Sequence, residues 1–225
     1  MTQNAWNADL LTTNGQTYIG NTGGQITAAT LTAGTNVTVT NSAGGISIAT
    51  AAHTDWEKIN ATTASSDSSI EWTCPLTDWQ AVVLIGNNTQ QSTTAGAGVR
   101  VSTDGGSTFL TSTYHTTGWE IDGSAGEAGL SGTTANKLQS WGSNTETAGA
   151  DANEVCSFYQ IIWQPSNTEY TKALSYCYYN ADNGDNIFQA WYMIHLSTTA
   201  VNALGYFPSS GNIAQGEFIL YGIQK

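Results

Sequence analysis

The sequence predicts an all-β protein: a short N-terminal β-hairpin or stalk segment, then an antiparallel two-sheet sandwich of jelly-roll type. Three observations carry that expectation. Charged residues make up 10% of the chain, against about 25% in an ordinary soluble domain, so solubility must rest on neutral polar groups. Thr supplies 34 of the 225 residues and Gly 24, while Pro supplies 3. Thr and aromatic residues suit a pleated, half-buried surface, and Gly, Asn and Ser clusters suit turns. Finally, the apolar runs are short and recur between turn signals, which is the pattern of many short strands.

A boundary is expected near residues 53–55, giving an N-terminal segment 1–53 and a domain 54–225. Asp9 is the one Asp, Glu, Lys or Arg between Met1 and His53. Within that segment Val37 and Val39 share one face of an alternating stretch, with Thr38 and Thr40 on the other. Ile46 and Ile48 repeat the pattern after Asn41-Ser42-Ala43-Gly44-Gly45, which reads as a hairpin with a five-residue loop. An isolated hairpin is marginal in water. Its apolar stripe needs a cover, either identical chains around an axis or the chain's own second domain.

Strands are expected in the second part at 69–74, 79–85, 98–102, 108–110, 154–163, 174–179, 188–196 and 216–223. Two of these runs, 81–85 and 158–163, are apolar on both faces. One face of each belongs to a core; the other calls for a covering loop or a neighbouring subunit.

Charge removes several function classes. The net charge is −12, with five Lys and Arg residues in all, so neither nucleic-acid phosphates nor an anionic membrane surface is an expected partner. The longest apolar run, Ala81 to Ile85, is far short of the ~20 residues of a membrane span. The opening residues Met1-Thr2-Gln3-Asn4-Ala5-Trp6 lack the basic and apolar regions of a signal peptide. Cys74, Cys156 and Cys177 have no CxxC spacing and read as free thiols of a protein made in a reducing cytosol.

Motifs for catalysis are sparse. Ser102-Thr103-Asp104-Gly105-Gly106-Ser107-Thr108-Phe109 matches the Asp-box pattern, with Phe109 in place of the usual Trp. It resembles the repeated hairpin of sialidases but occurs once, and Arg100 is the chain's single arginine. It therefore reads as a turn. His53, His115 and His195 offer no triad signature, and no GxSxG, P-loop or HExxH motif is present. Seventeen carboxylates leave a two-carboxylate glycosidase open, although supporting cationic groups are scarce. Asp182-Asn183-Gly184-Asp185-Asn186 has the oxygen density of a Ca²⁺ loop without EF-hand spacing, and reads first as a hairpin tip. No cofactor or metal is expected.

Residues 111–149 read as the longest loop. They hold Trp119 and Trp141 among short polar residues, with Asp122, Glu127 and Asn144 nearby. Indole faces beside hydroxyl-binding groups suit a saccharide; the competing reading places both rings in a core or an interface.

The Gly-Thr-Asn segment from Gly20 to Ala52, with its Leu31-Thr32-Ala33-Gly34-Thr35-Asn36-Val37-Thr38-Val39 core, resembles segments of tail-fibre and other virion proteins of tailed bacteriophages. The second part resembles a jelly-roll-like module of phage structural proteins. The marks are Val99 to Leu110 followed by Tyr114, and the ending Ser210 to Ile223. The resemblance implies a non-enzymatic virion protein, typically trimeric, assembled in the host cytosol and displayed on the particle surface. Residues 1–53, with Trp6 as anchor, are then expected to attach the homotrimer to capsid or tail proteins. The sandwich is expected to face outward as a short fibre or spike that aids adsorption to a host glycan. A capsid decoration protein without receptor binding is the alternative, and a glycan depolymerase the third.

Overall fold

The computed structural model describes residues 16–20, 26–34, 37–42, 45–50, 56–73, 76–124, 126–142, 151, 154–163, 165, 168–181 and 184–225. The chain divides into two compact units, Met1–Thr54 and Asp55–Lys225.

In the first unit, β1 (Gln16–Gly20) pairs antiparallel with β2 (Ile26–Thr30), and β3 (Val37–Ser42) with β4 (Gly45–Thr50). Val39 stands opposite Ile48, and pairing runs on to Ser42 opposite Gly45. Valine, isoleucine and threonine favour this pleated geometry because branching at Cβ restricts χ1. On this stripe Ile46 and Ile48 are exposed, Ile48 to 62%, while Val37 and Val39 are half-buried.

The second unit is an antiparallel sandwich. Its strands are β5 (Trp56–Asp67), β6 (Ile70–Trp72), β7 (Trp79–Gln91), β8 (Ala97–Ser102), β9 (Tyr114–Asp122), β10 (Gly126–Ala135), β11 (Leu138–Trp141), β12 (Cys156–Trp163), β13 (Thr171–Asn180), β14 (Asn186–His195), β15 (Ala203–Pro208) and β16 (Ile213–Gln224). A 3₁₀ turn, Leu76–Asp78, leads into β7. One sheet has eight strands in the order β10-β9-β14-β13-β12-β7-β16-β5; the other has four, β11-β8-β15-β6. From β5 to β9 the chain changes sheet at every strand, and it changes again from β10 to β11, β11 to β12, β14 to β15 and β15 to β16. The hairpins β9–β10 and β13–β14 interrupt this alternation, and both extend the large sheet beyond β12.

The core lies between the two sheets. Its centre is an aromatic layer in which Tyr206 of the small sheet stacks on Phe158 at 5.4 Å and meets Phe218 at 4.8 Å. Trp72 also packs on Phe218, and Trp141 on Tyr179. Gly86 is required here, because a Cβ at that position would come within 2.2 Å of the Phe158 ring. Polar pins fix β11 on the large sheet. Ser140 Oγ donates to Gln160 Oε1 at 2.7 Å, Ser175 Oγ donates to the Ser140 carbonyl, and the Gly142 amide donates to Gln189 Oε1. Buried polar groups satisfied this way specify one register and forbid sliding.

Two sequence expectations need correcting. Residues 111–149 are not one long loop, since β9, β10 and β11 lie within them. Thr and Gly dominate there and serve turns and strands alike, so local chemistry does not separate the two. Residues 108–110 form no strand. The Leu110 amide instead donates to the Val101 carbonyl as the chain leaves the Ser102–Phe109 turn.

That turn follows the chemistry of its sequence. Asp104 Oδ1 accepts from the Thr108 amide at 2.9 Å and from Ser102 Oγ at 2.7 Å. Gly105 and Gly106 hold φ of 77° and 88°, which suits glycine alone at little cost. The Ser102 hydroxyl, followed by the Thr108 amide, holds the Asp104 carboxyl below its ordinary value. β13 and β14 pair as a hairpin, with Asn180 opposite Asn186 at its end, and the expected tip residues Asp182 and Asn183 lie outside the described residues.

Candidate functional site

Strand alternation sends every second side chain of the large sheet away from the core, and on β9, β14, β13, β12, β7 and β16 that outer side is apolar. Register places the residues in rows across the strands. One row runs Trp119, Ala190, Tyr176, Tyr159, Ile85, Ile219. The next runs Ile121, Phe188, Tyr178, Ser157, and on the other side lie Thr117, Tyr192, Leu174, Ile161, Val83 and Tyr221. Tyr192 and Tyr178 are 54% and 52% exposed, and Trp119 is 39% exposed.

Six strands at ~4.8 Å spacing and three rows at ~6.6 Å give a face of roughly 24 by 13 Å, on the order of 300 Å². Apolar patches of about this size are often functional. An open groove of ≈ 540 Å³ runs along it, lined by Ile85, Tyr159, Tyr176, Tyr178 and Phe188 among others. The rings pack on one another: Tyr159 on Tyr176 at 5.3 Å, and Tyr176 on Phe188 at 6.0 Å. Desolvation, followed by neighbouring Tyr192 and then Tyr159, raises the Tyr176 phenol above its ordinary value. Polar tips stand among the rings, and Tyr178 Oη donates to Asn186 Oδ1 at 2.8 Å.

The residues singled out from sequence fall on different sides of this sheet. Trp119 and Glu127 both face outward, because Trp119 precedes Ile121 by two on β9 and Ile121 stands opposite Glu127. Trp141 faces inward. It is fully buried, and its Nε1 donates to Tyr206 Oη at 2.6 Å. A ring enclosed on all sides offers no face to a sugar, so Trp141 is a core residue. Asp122 is buried too, and its Oδ1 accepts from the Ser124 amide and hydroxyl. It closes the β9–β10 turn and is directed away from Trp119. Asn144 and Trp6 lie outside the described residues, as do Cys74, Asp182 and Asn183.

What sequence reasoning missed is the tyrosine array. Tyr159 sits in a run whose second apolar face is expected to need a cover, but Tyr176, Tyr178 and Tyr192 are not singled out. The i, i+2 spacing of Tyr176 and Tyr178 is the signal that could have found them.

Beneath the outer face lies a buried polar network. Gln189 Nε2 donates to Glu120 Oε2 and to Tyr179 Oη, while its Oε1 accepts from Trp191 Nε1 at 3.0 Å. Cys156 and Cys177 are free and buried on adjacent strands. Burial, then Cys177, pushes the Cys156 thiol well up, so it is a poor nucleophile. His115 is exposed on the outer face of β9. His195 is sealed beside the Tyr114 ring at 4.9 Å, with neither ring nitrogen hydrogen-bonded. Among the described residues no group of three His, Cys, Asp or Glu is placed to hold a metal, and no helix is long and apolar enough to cross a membrane.

No protein-family model matches the chain, no curated protein matches it, and no solved structure matches it.

Proposed function

We propose that the chain is a non-enzymatic structural protein of a tailed-bacteriophage virion, assembled in the host cytosol as a homotrimer and carried on the particle as a short fibre or spike. Its sandwich engages a host-surface glycan, and its first 53 residues attach it to capsid or tail proteins. The observation that carries the reading is the outer aromatic face of the large sheet. Exposed rings of Trp119, Tyr178 and Tyr192 with polar tips beside them suit pyranose faces and hydroxyls. The strand order supports the architecture: β5-β16-β7-β12 over β6-β15-β8-β11 is the interleaving of a jelly roll, a form shared by viral capsid and lectin domains. Fold alone does not assign function, so the argument rests on the face. The exposed Ile46 and Ile48, sharing a face with Val37 and Val39, support trimerisation through the first unit.

A second reading, a capsid decoration protein, is favoured by one specific feature. Ile85, Ile121, Ile161, Leu174 and Ile219 are interleaved with the rings. Aliphatic side chains gain little from a sugar and much from a protein surface. Adsorption of the purified full chain to host cells separates the two. Trp119→Ala combined with Tyr192→Ala should lower adsorption at least tenfold while the chain stays folded. Unchanged adsorption would move the assignment to decoration. Per-site affinity near ~1 mM, about −4 kcal/mol, is sufficient, because several heads engaging at once raise avidity by roughly 10².

A further inference from the structure

The outer face of the four-stranded sheet carries an arrangement that the reading above does not use. Two of the chain's five basic residues meet there. Arg100 projects outward from β8, where Gly205 stands opposite on β15. Its guanidinium carbon lies 4.7 Å from the centre of the Phe207 ring, and its Nε donates to the Asn136 carbonyl at 3.3 Å. Lys137 immediately precedes β11. Its stem crosses β8 over Gly98, where a Cβ would come within 2.9 Å of the Lys137 Cδ. Its Nζ ends on Ser209 Oγ at 2.8 Å and on Asn136 Oδ1 at 3.3 Å. Asn136 therefore joins the two cations, one through its backbone oxygen and the other through its side chain.

The chain has 17 acidic residues, yet among the described residues none pairs with either cation. Lys137 is 4% exposed and meets only neutral oxygens. Among the described residues the guanidinium engages protein through Nε and the Phe207 ring, and no hydrogen bond from either Nη accompanies these contacts. A buried ammonium beside a second cation is costly unless a counter-charge arrives. Desolvation, and next the Arg100 charge, hold the Lys137 amine down at about 8. An acidic protein that assembles its scarce cations side by side, without a carboxylate between them, has the makings of an anion receptor.

We infer that Arg100 and Lys137 bind one oxyanion group, a carboxylate or a phosphate, on the outer face of the small sheet, with Ser209 and Asn136 as neutral donors and positioning groups around it. Arg100 supplies the planar fork suited to two oxygens, and Lys137 supplies a point charge. Carboxylate and phosphate share this chemistry and are separated by experiment. The site is independent of the aromatic face, and its failure would leave the proposed function untouched.

The test is the pH dependence of Lys137 acetylation by acetic anhydride in the full chain, read by peptide mass spectrometry. In sodium chloride Lys137 should titrate near 8. Inorganic phosphate or acetate at matched ionic strength should raise that value by a unit or more and slow acetylation at pH 8 at least fivefold. Response to phosphate alone assigns a phosphate group, and response to acetate alone a carboxylate. Arg100→Gln, a partly exposed change whose fold is checked by melting, should raise the Lys137 value in chloride and abolish the anion response. Equal effects of chloride, phosphate and acetate would overturn the site. So would a Lys137 value above 10 in the ligand-free chain, which would mean that the chain's own carboxylate already neutralises the pair.

Discussion

The two faces of the eight-stranded sheet are built from nearly the same residues and meet different fates. On the inner face Phe158, Tyr179 and Phe218 are covered by Trp72, Trp141 and Tyr206 of the small sheet. Deep polar atoms there are largely matched, as with Trp141 Nε1 on Tyr206 Oη. On the outer face Tyr176 packs on Tyr159 and Phe188, while Tyr178, Tyr192 and Trp119 stay exposed. Apolar content therefore does not separate core from binding surface. The presence of a second layer does, and the small sheet supplies one on a single side.

The largest effect expected from breaking that difference is on the inner face. Trp141→Ala removes an enclosed ring and leaves the Tyr206 hydroxyl without its donor. Cavity and transfer contributions together should cost about 3–5 kcal/mol, read by urea denaturation of the full chain. Trp141→Phe retains most of the volume and should cost less. A loss under about 1 kcal/mol for the alanine variant would show that Trp141 does not fill the core.

Next comes Gln189→Leu. This side chain serves Glu120, Tyr179, Trp191 and the Gly142 amide at once. Leucine keeps the volume but strands a buried carboxylate and two donors, a loss of about 3 kcal/mol. Gln189→Glu should be worse, since it sets a second carboxylate against Glu120. Equal stability of the leucine and wild-type proteins would mean that water already satisfies these groups.

Part of this contrast is legible in the sequence. Val82, Val83 and Leu84, and likewise Ile161 to Trp163, are apolar in consecutive positions, which marks a strand with apolar side chains on both faces. The Ser102–Phe109 turn is legible too, because its hydrogen bonds are local to Asp104, Ser102 and Thr108. The faces of Trp119 and Trp141 are not. Both rings stand among Gly, Ser and Thr, and their orientation depends on pairing with Ala190 and Ala97, 71 and 44 residues away (190 − 119 and 141 − 97). Nor does sequence reveal that Arg100 and Lys137 meet, since that requires β8 beside β11 and the lysine stem crossing Gly98.

A smaller effect appears with pH. His195 lies in the interior against Tyr114 and opposite Thr171, and desolvation lowers its pKa from 6.5. The folded chain therefore binds the proton less readily than the unfolded chain. Its contribution to stability is complete above about pH 6.5 and is lost as pH falls below that value toward the folded pKa. His195→Phe should flatten this part of the stability profile between pH 7 and 5. A profile unchanged by the substitution would assign the acid sensitivity to carboxylates alone.

The smallest expected change in stability is on the outer face, and it tests function most directly. Trp119 has no described hydrogen bond through its ring, and Tyr192 stands beside it on the neighbouring strand β14. Replacing Tyr192 by alanine removes mostly area that water already reaches and should cost less than about 0.5 kcal/mol. Trp119 is 39% exposed, and its replacement should cost about 1–2 kcal/mol, still below the core substitutions. If this face holds a glycan, the same variants lose adsorption at unchanged oligomeric state, because stacking energy resides in individual rings. If it is instead covered by protein, single replacements at Trp119 do little to adsorption, while a charged residue at the centre, such as Tyr176→Lys, blocks incorporation into particles. The central position discriminates because Tyr176 touches both Tyr159 and Phe188. An ammonium there is desolvated by any protein partner and left in water by a weakly bound sugar. Normal incorporation of Tyr176→Lys together with lost adsorption of Trp119→Ala would assign the face to the glycan, and the reverse pair would assign it to the shell.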